Sequence, residues 1–407
     1  MRTDGEQVAP RVLFVCHEAS LTGAPKVLLT YLTWLSANTD LRFEILALAG
    51  GPLLADFSAL APTTVVEARG RSHASYFEAG LVKAGYPQLG DRLKKRRVGR
   101  KLRDLTGFDA VYLNSATSAL ALRVLPEIPP LIISHVHELD SAFAHWFDEF
   151  DRAAMITRTD WFVACADTVA RMLTEYGVDP TRISCHHEFI EPPVLGSDGS
   201  GGVRAIVDIP EGSFVVGASG QSIWRKGPDL FIQMAAHIVS RHPDLDVHFV
   251  WVGSTETDLW ALHDIEKMGL SGRVHFVGQI EEPTPMYADF DVFCLTSRED
   301  PFPLVMLEMA ALGVPVVGFD NGGIVEFAGA DECCIVVDYL DVAALGLAVT
   351  DLLASPARRS ALGEKSGERV RTQHLVDVAA PRLYREMMEH LAAGSGRRGG
   401  DVVGRRR

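Results

Sequence analysis

An α/β architecture of two doubly wound parallel sheets is what this chain predicts, and three observations predict it. Short apolar runs recur along its whole length with helical patterns between them, and such β-then-α alternation specifies parallel sheets covered by helices. At 407 residues and 47% apolar content the chain can bury two cores of ordinary domain size. Between them Glu191–Gly202 reads EPPVLGSDGSGG, rich in Gly, Ser and Pro and without apolar period, which is linker composition.

The first half opens with the strand Val12–Cys16, followed by HEASLTGAPKVLLTYLTWL. A buried strand that ends in a polar turn and leads into an amphipathic helix near Ala24 is how nucleotide-binding α/β domains begin, and Gly23 lets a ligand approach the backbone. No G-x-G-x-x-G follows the strand, which disfavours a nicotinamide-dependent oxidoreductase. Further strands are expected at Phe43–Leu48, Thr64–Val66, Ala110–Leu113, Pro130–Ser134, Trp161–Ala164 and Ile183–Cys185. Ligands bind such sheets beyond the carboxyl ends of the strands. His17 and the run His135-Val136-His137-Glu138 fall at that edge. A histidine there is either a packed or solvated loop residue or a ligand-binding group; H-x-H lacks a third ligand at metal-site spacing.

The second half opens with Phe214–Gly217 and the turn SGQSIWRKGP before a helix. Arg225 and Lys226 in such a turn suit a diphosphate leaving group, whose developing charge needs fixed cations. Strands follow at Val247–Val252, Arg273–Gly278, Asp291–Leu295 and Val314–Val317. Asp289-Phe290-Asp291 could pass for a metal-binding D-x-D, but at a strand entrance it reads as turn chemistry. Helical patterns cover Val342–Leu353, Pro356–Thr372 and Val376–Ala393.

The most informative segment is Ser297–Val317, SREDPFPLVMLEMAALGVPVV. Asp300 and Pro301 read as a cap and the first helical position, so a helix should open at about Pro301–Pro303. In the stretch Leu304–Leu312 the one polar residue is Glu308, and a carboxylate on so apolar a helix should be buried and must meet a polar partner. The helix mouth gathers anions and Glu308 offers an acceptor farther in; phosphates joined to a hydroxyl-bearing sugar would fit both. The alternative is structural, with Asp300 a plain cap and Glu308 satisfied by an arginine or a main-chain N–H.

Asp300 and Glu308, eight positions apart, resemble the acid-x7-acid signature of retaining glycosyltransferases of family 4, which share the GT-B fold: two Rossmann-like domains facing a cleft. Family members usually carry Glu at both places and Gly-Phe-Gly after the first; here Asp300 precedes Pro301-Phe302-Pro303 and Leu304. The resemblance implies that Asp300 sits by the donor sugar with Pro301, Phe302, Pro303 and Leu304 around it, and that Glu308 accepts from the ribose. It extends to G-R-x4-K-G, whose cations hold the donor pyrophosphate. Lys226 and Gly227 align, Gln221 stands where the family has Arg, and Arg225 could supply the missing charge. Gln279 and Ile280 fall where the base is contacted, Gly322 and Gly323 in a G-G-x-x-E turn near the phosphates, Gly23 in the family's Gly-Gly turn, and His137 beside the donor sugar.

The resemblance therefore implies a metal-independent glycosyltransferase needing no cofactor besides a nucleoside diphosphate sugar as donor, with a hydroxyl acceptor of unspecified identity. Two rivals remain: a sugar-phosphate synthase or phosphorylase of the same fold, and a non-catalytic sugar-nucleotide-binding protein. The expected layout is an acceptor-side domain at 1–190, a linker at 191–205, a donor domain at 206–378, a helix at 379–394 crossing back to the first domain, and a disordered tail at 395–407.

A net charge of −14 argues against wholesale nucleic-acid binding. The six cysteines form no C-x2-C pair, a reduced-compartment pattern, and no apolar run approaches the roughly 20 residues that span a bilayer. The N-terminal MRTDGEQVAP lacks a signal-peptide core, so a soluble, cytoplasmic protein is expected, and the excess of Arg over Lys suggests a bacterial source. Against the acidic background, residues 92–103 (RLKKRRVGRKLR) hold eight basic side chains in twelve. Such a run is either a solvated face or a patch for peripheral contact with an anionic membrane or acceptor.

Overall fold

The computed structural model describes residues 9–67, 83, 87–145, 149–194, 202–253 and 259–400. The chain divides into two compact units, Met1–His187 with Ala379–Arg407, and Glu188–Val378.

In the first unit seven strands form one parallel sheet in the order β3-β2-β1-β4-β5-β6-β7. They are β1 (Arg11–Cys16), β2 (Arg42–Ala49), β3 (Thr63–Glu67), β4 (Ala110–Asn114), β5 (Leu131–Val136), β6 (Trp161–Ala164) and β7 (Ile183–Cys185). The order reverses between β1 and β4, which pair in register from Val12↔Ala110 to Cys16↔Asn114. Val12 through Cys16 are fully buried, the continuous apolar run expected of a strand covered on both faces. Phe14 anchors this core against Tyr31, Phe43 and Tyr112, with ring centroids 6.3, 5.7 and 5.0 Å away.

The last helix, Val376–Gly400, joins this unit from Ala379 onward. Tyr384 meets Trp34 at 6.1 Å and His390 stacks on Trp161 at 4.5 Å. The helix continues through 395–400, where Gly- and Arg-rich composition suggests disorder. Residues 401–407 and the linker residues 195–201 lie outside the described residues.

The second unit carries a six-stranded parallel sheet in the order β10-β9-β8-β11-β12-β13. Its strands are β8 (Phe214–Ser219), β9 (Val247–Val252), β10 (Val274–Phe276), β11 (Val292–Leu295), β12 (Val316–Phe319) and β13 (Ile335–Val337). The edge strand β13 escaped the sequence reading. Its three residues are all half-buried and too few to show a period. The order reverses between β8 and β11, and ligands of open parallel sheets bind at such switch points. Phe231, Phe249 and Trp251 are essentially inaccessible in this core, each contributing about 1.5–3 kcal/mol by burial.

The Asp289-Phe290-Asp291 run is structural, as its turn-like character suggests. Asp289 Oδ2 accepts from the Arg204 amide at 3.2 Å, and Asp291 Oδ2 from the Val215 amide at 2.9 Å. The basic run lies on the helix Pro87–Leu102. Lys101 Nζ donates to the carbonyls of Val65 and Val66 at 3.0 and 2.8 Å, while Arg92, Arg96 and Arg100 stay exposed. No helix among the described residues is long and apolar enough to cross a membrane.

Candidate active site

In the second unit, three loops beyond the carboxyl ends of β8, β11 and β12 are tied together by their backbones. The Arg298 amide donates to Arg225 O at 2.7 Å, and Gly323 N reaches Asp300 O at 3.4 Å. Asn321 Nδ2 donates to Ser297 O. Two glycines permit this closeness: a Cβ on Gly227 would stand 2.1 Å from Thr296 O, and one on Gly323 2.1 Å from Pro301 O. Gly322 adopts φ 117°, which side-chain-bearing residues seldom reach.

Asp300 lies at the centre of these loops, with 6% of its side chain exposed. Lys226 Nζ donates to its Oδ2 at 2.5 Å and Ser297 Oγ to the same oxygen at 3.1 Å, while Arg225 Nη1 lies 3.5 Å from Oδ1. The geometry corrects the reading of Asp300 as a helix cap. The helix runs Leu304–Ala311 behind Pro303 and has no side-chain cap, because Asp300 turns to the two cations instead. Burial pushes the Asp300 carboxyl up, but Lys226 and Arg225, with the hydrogen bonds from Lys226 and Ser297, outweigh it and hold the group below its ordinary range. Burial likewise depresses Lys226, with Asp300 opposing. Arg225 also donates to Glu299 O at 2.9 Å, and its Nε is buried without a hydrogen-bond partner among the described residues.

Glu308 is half-buried rather than enclosed. Its charge acts on Tyr287, whose phenol burial first and Glu308 second push up; the Tyr287 hydroxyl lies 2.7 Å from Ser219 Oγ. Pro301 and Pro303 are buried, Leu304 is half-buried, and Phe302 packs against His374 and Phe327 at 5.3 and 6.5 Å. With 4% exposure, the Phe302 side chain is core and offers a ligand nothing beyond its backbone.

Beyond the other strands of this sheet, Gly220 N donates to Val252 O and Gly253 N to Gly278 O, both at 2.9 Å. These bonds place Gln221 and Gln279, both exposed, and the half-buried Ile280 on neighbouring loops of the same edge.

The first unit has a polar edge of its own. His135 lies within β5 rather than beyond it, with 2% exposure, and its Nδ1 is 2.8 Å from the Tyr112 hydroxyl. Burial holds its pKa well below the ordinary histidine value, His137 and His186 adding to the effect. His137 follows the strand, with Nε2 3.1 Å from Asn114 Oδ1 and its ring 4.0 Å from that of His135. Glu138 accepts from Ser115 Oγ, from the His137 amide at 2.9 Å and from the Ala116 amide at 3.2 Å. These bonds hold Ser115 at φ 94°, a conformation that costs roughly 1–3 kcal/mol. Gly23 is the exposed first residue of the helix Gly23–Asn38. Asn114 Nδ2 donates to Ala24 O at 2.9 Å.

Sequence reasoning missed Asn114, Ser115, Ser219, Tyr287 and Ser297, and it placed Glu138 at the edge without its partners. Asn114 and Ser219 had one usable signal, a polar residue at the carboxyl end of an otherwise apolar strand.

A fold of this kind with such an edge is that of a phosphate-ligand-binding α/β protein, and comparison with known proteins gives the family. A profile described as "Glycosyltransferase Family 4" matches residues 39–192, and one described as "Glycosyl transferases group 1" matches residues 213–355. The chain belongs to the family-4 glycosyltransferases, with the GT-B fold. It is 26% identical over 284 residues to the lipopolysaccharide core biosynthesis mannosyltransferase LpcC of Rhizobium leguminosarum bv. viciae, covering 66% of this chain and 73% of that protein. With the lipopolysaccharide core biosynthesis glycosyltransferase LpsE of Rhizobium meliloti it shares 31% over 166 residues, 40% of this chain and about half (47%) of the relative. In fold it is similar to Anabaena HepE, solved in complex with UDP and glucose, at a TM-score of 0.74 and 18% identity, covering 93% of this chain and 100% of HepE.

Proposed function

We propose that this glycosyltransferase moves a sugar from a nucleoside diphosphate sugar to an acceptor hydroxyl, with retention at the anomeric carbon. The observation that carries the reading is the convergence of Lys226 and Arg225 on Asp300 at the β8/β11 switch point, on the same sheet edge as Glu308. Cations held ready by a buried counter-charge need little reorganisation when a diphosphate leaves, which is where preorganised electrostatics contributes most. Glu308 accepts from the ribose, Gln279 and Ile280 border the base, and Gly322 and Gly323 let the phosphates approach the backbone. LpcC and LpsE, named for glycosyl transfer, support the reaction class, and the UDP and glucose of HepE support the donor class.

In the first unit, Gly23 and His137 stand at a polar sheet edge suited to hydrogen-bonding hydroxyl groups. For retention we assign same-face attack, the departing phosphate taking the acceptor proton. Asp300, the nearest candidate nucleophile, is held by Lys226 and Ser297 and is poorly disposed to attack. The cations of the turn stand in for a metal. The exposed Arg92, Arg96 and Arg100 dock the enzyme on anionic lipid; unchanged sedimentation with anionic vesicles after their change to Ser sinks that part.

Mass spectrometry of products from a panel of UDP-, GDP- and ADP-sugars, with NMR of the anomeric proton, tests the whole reading. One donor should yield its nucleoside diphosphate and a glycoside of unchanged anomeric configuration. Binding without turnover would favour a sugar-nucleotide-binding protein, and transfer to inorganic phosphate would favour a phosphorylase.

A further inference from the structure

Trp224 is the most exposed aromatic residue among those described, at 61%. It sits two positions before Lys226, in the turn that carries both cations. An indole so open to water loses the free energy its burial would give, yet it is held firmly. The Arg298 guanidinium lies over the ring, 5.3 Å from its centroid. Arg298 is itself clamped, donating to Asp229 Oδ1 and Oδ2 at 2.9 and 2.6 Å and to Trp224 O at 2.8 Å. Its amide, bonded to Arg225 O at 2.7 Å, fastens the same turn from behind.

One face of the indole is thus backed by a fixed cation, and the exposed area is a rigid aromatic surface beside the diphosphate-binding group. Rigid, amphipathic rings of this kind make binding surfaces at low entropic cost. A pyranose suits it: the C–H face of a sugar ring lies flat on an indole while its hydroxyls remain in water or meet polar neighbours.

We propose that Trp224 is a stacking platform for a pyranose ring of the acceptor, which makes the acceptor a carbohydrate and Trp224 a determinant of its specificity. The inference rests on the glycosyl-transfer reading and deepens it. No covalent step is assigned to the residue.

The test uses the full chain and two independent readouts. Saturation-transfer NMR with methyl glucoside, methyl mannoside and methyl galactoside reports sugar contact, and calorimetric titration with UDP and GDP reports the nucleotide site. At least one methyl glycoside should bind with transfer concentrated on its ring C–H protons. Trp224→Ala should weaken that binding at least fivefold, Trp224→Tyr should retain it within about twofold, and nucleotide affinity should stay unchanged in both.

Equal transfer in wild type and Trp224→Ala overturns the proposal, as does the absence of glycoside contact in wild type. Displacement of the glycoside by the matching nucleotide sugar would assign the ring to the donor instead. A fluorescence response of Trp224 to anionic vesicles but not to sugars would assign it to lipid. Loss of nucleotide binding in every protein, with glycoside contact intact, would count against the function reading and not against the platform.

Discussion

The carboxyl edges of the two sheets are built from opposite chemistry. In the second unit, full charges meet out of water: Lys226 and Arg225 against Asp300, the carboxylate 6% exposed. In the first, buried or half-buried imidazoles, an asparagine and a strained serine lie near the carboxylate of Glu138. The contrast teaches what each edge is suited to hold. A polyanion such as a diphosphate needs fixed cations, and those must have a counter-charge while waiting. Hydroxyls need neutral donors and acceptors at set positions, and asparagine and imidazole side chains supply both.

The comparison breaks most readily at Lys226. Lys226→Ala should lower kcat/KM about 10²- to 10³-fold, the usual cost of losing one preorganised electrostatic group. It should also destabilise the second unit by about 3–5 kcal/mol, because Asp300 is left buried with a weaker partner. Urea unfolding of Lys226→Ala/Asp300→Asn separates the two effects: stability should return while activity does not. Near-normal turnover in the single variant would remove the cation from the mechanism.

Next in size is Glu308. Its change to Gln should weaken nucleoside diphosphate binding by roughly 10- to 100-fold, as a hydrogen bond to a charged group predicts. Calorimetry with the 2′,3′-dideoxy nucleotide should find wild type and variant equal, since that ligand has no ribose hydroxyl to donate. An equal loss for both nucleotides would move Glu308 off the ribose.

The first unit's neutral edge has a pH signature. His135 titrates lower folded than unfolded, so the unfolded chain binds the extra proton first as acid is added. Stability should therefore be complete above the unfolded pKa of about 6.5 and fall below it, by at most about 1.4 kcal/mol per pH unit for one group. Other histidines with lowered pKa, His17 and His248 among them, add to the slope. The informative quantity is thus the difference between wild type and His135→Asn in chemical unfolding from pH 7.5 to 5.5. Parallel curves would mean that His135 is not held neutral.

The smallest expected effect is at Gln221. If Arg225 supplies the second cation, Gln221→Arg should change diphosphate affinity by no more than about twofold, the scale of an exposed ion pair. A tenfold gain would show that Arg225 does not fill the role.

Much of the fold was legible because its signals are local. Twelve of the thirteen strands lie where short apolar runs mark them, and Glu308 stands out on the helix Leu304–Ala311 by composition alone. Asp300 was found by spacing yet misread in its contact. An acid followed by proline near a helix start looks like a cap whether or not its side chain turns toward the backbone. The packing of Phe302 was not legible either, since proximity in sequence to the acid says nothing about which way a ring packs. Tyr287 and Ser115 left no local trace: each acquires its partner from a different loop.

By itself the sequence determined the alternation of strand and helix, the glycines of the second unit's turns, and the identity of the charges at the second edge. These follow from burial periodicity and from backbone sterics, which act over a few residues. The tertiary structure decided which charges meet, leaving Asp300 with Lys226 rather than with a helix end, and which polar groups stay neutral, as at His135. Those outcomes depend on distances between segments far apart in the chain and on the local exclusion of water, and no short stretch of sequence encodes either.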